Sequence, residues 1–100
     1  MSQIRELQEL VHKIAREKGW WDIERNDGEL IALMHSELSE ALEALRAPKA
    51  KDNNVGEELA DTVIRIMDYC EARGINLEHE ILKKVEKNKI REYKHGGKKF

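Results

Sequence analysis

A chain of 100 residues with a formal net charge of −2 is long enough for one domain and too short for two. Hydrophobic residues make up 40% and charged residues 38%, with one proline and 5% aromatics, a mix that favours helices over the β-branched and aromatic surfaces of a sheet domain. A single cysteine, Cys70, excludes an intrachain disulfide and argues against a cysteine-based zinc site; no apolar run approaches the roughly 20 residues of a membrane span, and no signal-peptide core opens the chain, so the expectation is a soluble cytoplasmic protein without a membrane partner.

Ile4, Leu7, Val11 and Ile14 recur at helical spacing and predict a first helix over about residues 3–18, ended by Gly19. Trp20-Trp21-Asp22-Ile23-Glu24-Arg25 follows as a connector. Asn26, with Glu29 three residues on, has the pattern of a capping box and opens a second helix over about 27–46, whose main apolar arc holds Ile31, Met34, Leu38, Leu42 and Leu45. Pro48 and the polar stretch from Lys49 to Asn53 predict a loop. Asn54 with Glu57 repeats the capping pattern and starts a third helix that runs to Gly74. Asn76 caps a fourth, with Leu77, Ile81, Val85 and Asn88 in one stripe, fraying near Tyr93 ahead of Gly96-Gly97. Four amphipathic helices in so short a chain predict an all-α, four-helix bundle-like domain, completed by another copy of itself.

The small net charge conceals an asymmetry. Residues 1–82 carry 18 acids against 10 bases, and residues 83–100 carry 8 bases against 2 acids. An acidic body suits cations and a basic C-terminal segment suits phosphates, although lysines near a helix C-terminus also complement its dipole. Nucleic-acid binding through the basic segment is disfavoured, because the body would repel a phosphate backbone and the segment lacks interleaved aromatics.

The informative residues are Glu37, Glu40, Glu58 and Asp61. Each pair is spaced i, i+3 and projects from one helix face. At about 100° per residue, Leu30, Leu33, Ala41 and Ala44 extend the apolar arc of the second helix to one side; Glu37 falls among them and Glu40 at their edge. An ionised carboxylate in an apolar stripe is costly unless it is paired or coordinates a cation. On the third helix the apolar arc holds Leu59, Val63, Ile66, Met67 and Cys70, beside a polar strip of Glu58, Asp61, Thr62, Arg65 and Tyr69. Alone, that strip reads as a solvated acidic face with Arg65 as a local ion-pair partner. Together the four acids make a hard, all-oxygen donor set suited to Mg²⁺ or Mn²⁺. A di-iron site would want inward-facing Glu-x-x-His motifs. Glu9/His12 lies off the first helix's stripe and Glu92/His95 falls where the fourth helix frays, so iron is disfavoured.

Glu37-Leu38-Ser39-Glu40-Ala41, followed by Glu58-Leu59-Ala60-Asp61, resembles the E-x-x-E and E-x-x-D signature of the MazG-like, all-α nucleoside triphosphate pyrophosphatases. The Gly19-Trp20-Trp21 connector, the run from Ala41 to Arg46 and the closing Asn88-x-x-Arg91-x-x-x-His95-Gly96-Gly97-Lys98 segment extend the resemblance over nearly the whole chain. It implies Mg²⁺-dependent hydrolysis of a (deoxy)nucleoside triphosphate between the α- and β-phosphates, with Glu37, Glu40, Glu58 and Asp61 as metal ligands. It further implies a base pocket at Trp21 and His12, triphosphate contacts from Asn88, Arg91, Lys94 and Lys98, and a homo-dimer or homo-tetramer with sites near chain interfaces. Where some relatives carry a tyrosine, this chain has Arg65, an arginine able to bind phosphate in its own right. The helical wheel turns His12 away from its own helix's core, toward solvent or a partner chain. The competing reading is a non-catalytic helical oligomerisation or adaptor module whose acids serve only solubility.

Overall fold

The computed structural model describes residues 3–47 and 54–91; the predicted loop from Pro48 to Asn53 and the segment from residue 92, with Lys94, Lys98 and the Glu92/His95 pair, lie outside the described residues. Among the described residues the fold comprises four helices: α1 (Gln3–Glu17), α2 (Asp27–Arg46), α3 (Val55–Ala72) and α4 (Leu77–Lys89). Among the described residues there is no strand, and no helix is long and apolar enough to cross a membrane.

Local chemistry sets the boundaries. A helix start leaves backbone N–H groups without partners, and three asparagines supply them. Asn26 Oδ1 accepts from Glu29 N at 2.8 Å, Asn54 Oδ1 from Glu57 N at 3.0 Å, and Asn76 Oδ1 from His79 N at 3.1 Å. Two helices end on glycines in the left-handed region, Gly19 at φ +86° and Gly74 at φ +70°. After α1, Trp20 N bonds Ala15 O and Gly19 N bonds Arg16 O; after α3, Ile75 N bonds Cys70 O and Gly74 N bonds Glu71 O. This paired closure needs a left-handed residue at its corner, which glycine adopts without the Cβ penalty. Helix α4 stops at Lys89 with Ile90 as its cap, short of the Tyr93 expected from periodicity.

Helix α3 is central. α2 and α1 each pack along it, and α4 lies mainly against α1. The buried hydrophobic residues are Leu30, Ala41 and Ala44 of α2 and Met67 and Cys70 of α3. This corrects the predicted core of α2. Most of the main arc is left outside, with Ile31 at 42%, Leu38 at 47%, Leu42 at 55% and Leu45 at 63% exposure, while Met34 is half-buried. The alanine edge wins because small side chains let two helix backbones approach closely, and α2 has one principal neighbour within the chain to cover its wide arc. Leu59 and Val63 of the predicted α3 arc are likewise exposed.

The α1–α3 contact is tied by polar groups. Gln8, 1% exposed, donates through Nε2 to Glu71 Oε1 at 2.9 Å and to Ile75 O at 2.8 Å, and its Oε1 accepts from Leu77 N at 3.3 Å. One side chain thus joins α1, α3 and the start of α4. Arg73 closes the other end. Its Nε donates to Asp27 Oδ1 at 2.7 Å and its Nη2 to Arg25 O at 2.9 Å. The Arg73 hydrogen bond holds the Asp27 carboxyl below the usual carboxylate range. None of α4 is buried, and Ile81, Leu82 and Val85 remain substantially exposed.

Candidate metal and phosphate site

The packing of α2 decides where its acids go. Ala41 follows Glu37 and Ala44 follows Glu40 by four residues, about one turn, so burying the two alanines turns both glutamates toward α3. On α3, Glu58 stands one turn before the buried Thr62, whose Oγ1 donates to the Glu58 carbonyl at 3.0 Å. The result is convergence: one carboxylate oxygen from each of Glu37, Glu40 and Glu58 lies within 4.8 Å of the other two. Asp61 is not one of the three. It lines the adjoining cleft together with Glu37, and its charge still reaches Glu58.

Glu58 is the electrostatically strained member. Burial pushes its carboxyl above the ordinary range, and the nearby Glu40 carboxyl, followed by the charges of Asp61 and Glu37, pushes in the same direction. Its Oε2 is shielded from solvent and accepts no hydrogen bond. Two carboxylates side by side need a shared proton or a cation between them. Three hard oxygen donors with one oxygen left without a partner fit Mg²⁺ or Mn²⁺ better than a softer metal.

Beside the acids opens a cleft of about 390 Å³, lined by the apolar Val11, Ile14 and Ile64 and by Trp20, Glu37, Asp61, Arg65 and Asp68. Arg65 reaches across to α2, its Nε 3.5 Å from Glu37 Oε1, with its guanidinium carbon 4.0 Å from the Trp20 ring centroid. The local pairing expected along the α3 strip is replaced by this interhelical contact. The Arg25 guanidinium also lies over Trp20, at 3.8 Å.

His12 and Trp21 meet on a residue that sequence reading did not single out. Asp68, 4% exposed, has its Oδ1 2.7 Å from His12 Nδ1, and it accepts the Trp21 indole N–H at 2.9 Å on Oδ1 and 3.2 Å on Oδ2. The two rings pack edge-on with centroids 5.7 Å apart. His12 therefore faces its own chain, correcting the solvent-facing expectation. The reason is that α1 turns its Gln8–His12 side to α3, because these polar groups find partners there, and leaves Leu7, Leu10 and Ile14 partly open. A signal for Asp68 existed: it follows Asp61 by seven residues, two turns, on the same face.

Of the remaining predicted contacts, the described ones, Asn88 and Arg91, do not line the acidic cleft. Asn88 sits on α4 beside Glu80, Ile81, Lys84 and Val85, and does not line the acidic cleft. Arg91 follows α4, its backbone N–H bonded to Asn88 O at 3.2 Å. Compared with models of protein families, with curated proteins and with solved structures, the chain finds no match in any of the three.

Proposed function

We propose that the protein is a nucleoside triphosphate pyrophosphohydrolase of the MazG-like kind, requiring Mg²⁺ or Mn²⁺, that cleaves a (deoxy)nucleoside triphosphate between the α- and β-phosphates to the monophosphate and pyrophosphate. The observation that carries this reading is the convergence of Glu37, Glu40 and Glu58 around an oxygen that has no partner. Those three residues would hold the cation, with Asp61 as the fourth acid on the adjoining cleft. When bound, the cation supplies positive charge against the phosphates and acidity for the attacking water. The protein's part is positioning and electrostatics. Arg65 offers a guanidinium to the triphosphate from within the cleft; the resemblance alone assigns Asn88, Arg91, Lys94 and Lys98 to the triphosphate and the His12–Trp21 pair to the nucleoside.

Self-association into a dimer or tetramer belongs to the same proposal. Leu38, Leu42 and Leu45 form a continuous exposed apolar face on α2, and a second copy would remove it from water. The acidic body, which would repel a phosphate backbone, supports free nucleotides over nucleic acid as substrate; a cytoplasmic location without a membrane partner belongs to the proposal. An adaptor whose acids serve only solubility would leave them solvated, and the shielded Glu58 oxygen weighs against that reading.

The test is pyrophosphate release from a panel of ordinary, deoxy- and modified nucleoside triphosphates in Mg²⁺, and again in excess chelator. Release in Mg²⁺ that stops on chelation is expected. Orthophosphate instead of pyrophosphate, or no turnover of any triphosphate, would overturn the proposal.

A further inference from the structure

Trp20 and Trp21 are neighbours in sequence with opposite surroundings. The Trp21 indole N–H is committed to Asp68 and its ring is packed edge-on against His12. Trp20 instead lines the cleft that Glu37, Asp61 and Arg65 share. Two guanidiniums lie over its ring, Arg25 at 3.8 Å and Arg65 at 4.0 Å from the centroid. Two like-charged groups of that size do not fit side by side on one indole face, so they cover opposite faces.

The two covers are held unequally. Arg25 Nε donates to the carbonyl of Trp20 itself at 2.8 Å, and its side chain is 15% exposed. Arg65 is 32% exposed, and its contact with Glu37 is a long one at 3.5 Å. Arg25 is a fixed backing for the ring; Arg65 is a removable cover. Because Arg65 lines the cleft and Arg25 does not, the face it covers is the one that opens to the cleft.

We infer that the cleft-side face of Trp20, uncovered when Arg65 moves to a substrate phosphate, is the platform on which the nucleobase stacks, with Trp21 serving as part of the scaffold. The inference rests on the hydrolase reading and goes beyond it in choosing between the two tryptophans; the resemblance points to Trp21, the geometry to Trp20. Phosphate oxygens are stronger and better-shaped partners for a guanidinium than a carboxylate at 3.5 Å. A triphosphate at the acids brings such oxygens within the same cleft, and the vacated indole face is then the aromatic surface open to the base. The cleft volume of about 390 Å³ is within the range of small-ligand sites.

The experiment uses the unaltered chain, which carries two tryptophans and therefore two indole N–H resonances. They are assigned with whichever of Trp20→Phe or Trp21→Phe is the better-behaved variant. The probes are the α,β-methylene triphosphates of the four common deoxynucleosides with Mg²⁺, against tripolyphosphate with Mg²⁺ as the ligand without a base. At least one nucleotide should move the Trp20 resonance well beyond the shift caused by tripolyphosphate, while the Trp21 resonance moves less. Trp20→Leu should weaken binding of that nucleotide about tenfold, the loss of one stacking partner, and should not weaken tripolyphosphate binding, because it frees Arg65 from the ring. A response confined to Trp21, or nucleotide and tripolyphosphate acting alike on Trp20, overturns this inference alone. Absence of Mg²⁺-dependent binding by every probe overturns the hydrolase reading with it.

Discussion

Helix α3 carries two shielded carboxylate sites, ten residues apart, that meet opposite fates. At Asp68 the charge is met: His12 and Trp21 both bond to it. At Glu58 the charge is opposed: Glu37, Glu40 and Asp61 surround it, and Oε2 accepts nothing. An acid enclosed by donors is a structural tie, while an acid enclosed by other acids stores an unfavourable interaction that a cation relieves. The same residue class on the same helix thus separates into a scaffold and a candidate reactive centre, and what separates them is the chemistry of the helix each one faces.

Three substitutions break or sharpen that contrast. The largest effect is expected from Glu58→Gln, which should lower Mg²⁺-dependent pyrophosphate release at least ~100-fold, the scale at which even indirect support of a metal ligand begins to tell. The same variant reports on strain. Because the folded carboxyl titrates above its ordinary range, the folded state takes up a proton more readily than the unfolded state. Its stabilising contribution is present below the ordinary glutamate range and is lost as pH rises through the raised folded value. In metal-free buffer, thermal melts of Glu58→Gln should therefore lack a stability decline across that window that the parent chain shows. A parent and variant with the same pH dependence would contradict the crowding.

Asp68→Ala should act on the other side of the contrast, costing about 3 kcal/mol in denaturant titration, because it strands the Trp21 N–H and the His12 ring in a shielded setting. A loss under 0.5 kcal/mol, the range of an ordinary surface change, would mean that Asp68 ties nothing together. The smallest of the three effects belongs to Asn54→Ala. It removes the cap at the start of the helix that carries both acids and should cost about 1 kcal/mol, read as a lower melting temperature with the helical dichroism otherwise retained.

Much of the architecture was legible before any packing was known. The asparagines at 26, 54 and 76 and the glycines at 19 and 74 act through groups only a few residues away, so their roles follow from local spacing, and all five occur at the predicted boundaries. Glu37 was also legible as an acid within an apolar stripe. What could not be read was the rotation of each helix. The α2 arc is wide enough to pack by either edge, and the chain uses the alanine edge, which leaves Leu38 and Leu42 outside and Glu37 and Glu40 facing Glu58. The orientation of His12 escapes periodicity for a related reason. A helical wheel ranks faces by apolarity, whereas α1 docks through polar groups that find partners on α3.

The sequence by itself determined four helices, their starts and stops, and the i, i+3 placement of acids on α2 and α3, because these depend on interactions within one or two turns. The tertiary structure alone decided that Glu37, Glu40 and Glu58 converge while Asp61 stands at the cleft, that Asp68 gathers His12 and Trp21, and that Trp20 rather than Trp21 borders the acids. Those outcomes depend on the rotation and closeness of helices distant in sequence, and that is set by which side chains are small enough, or polar enough, to let two helices meet.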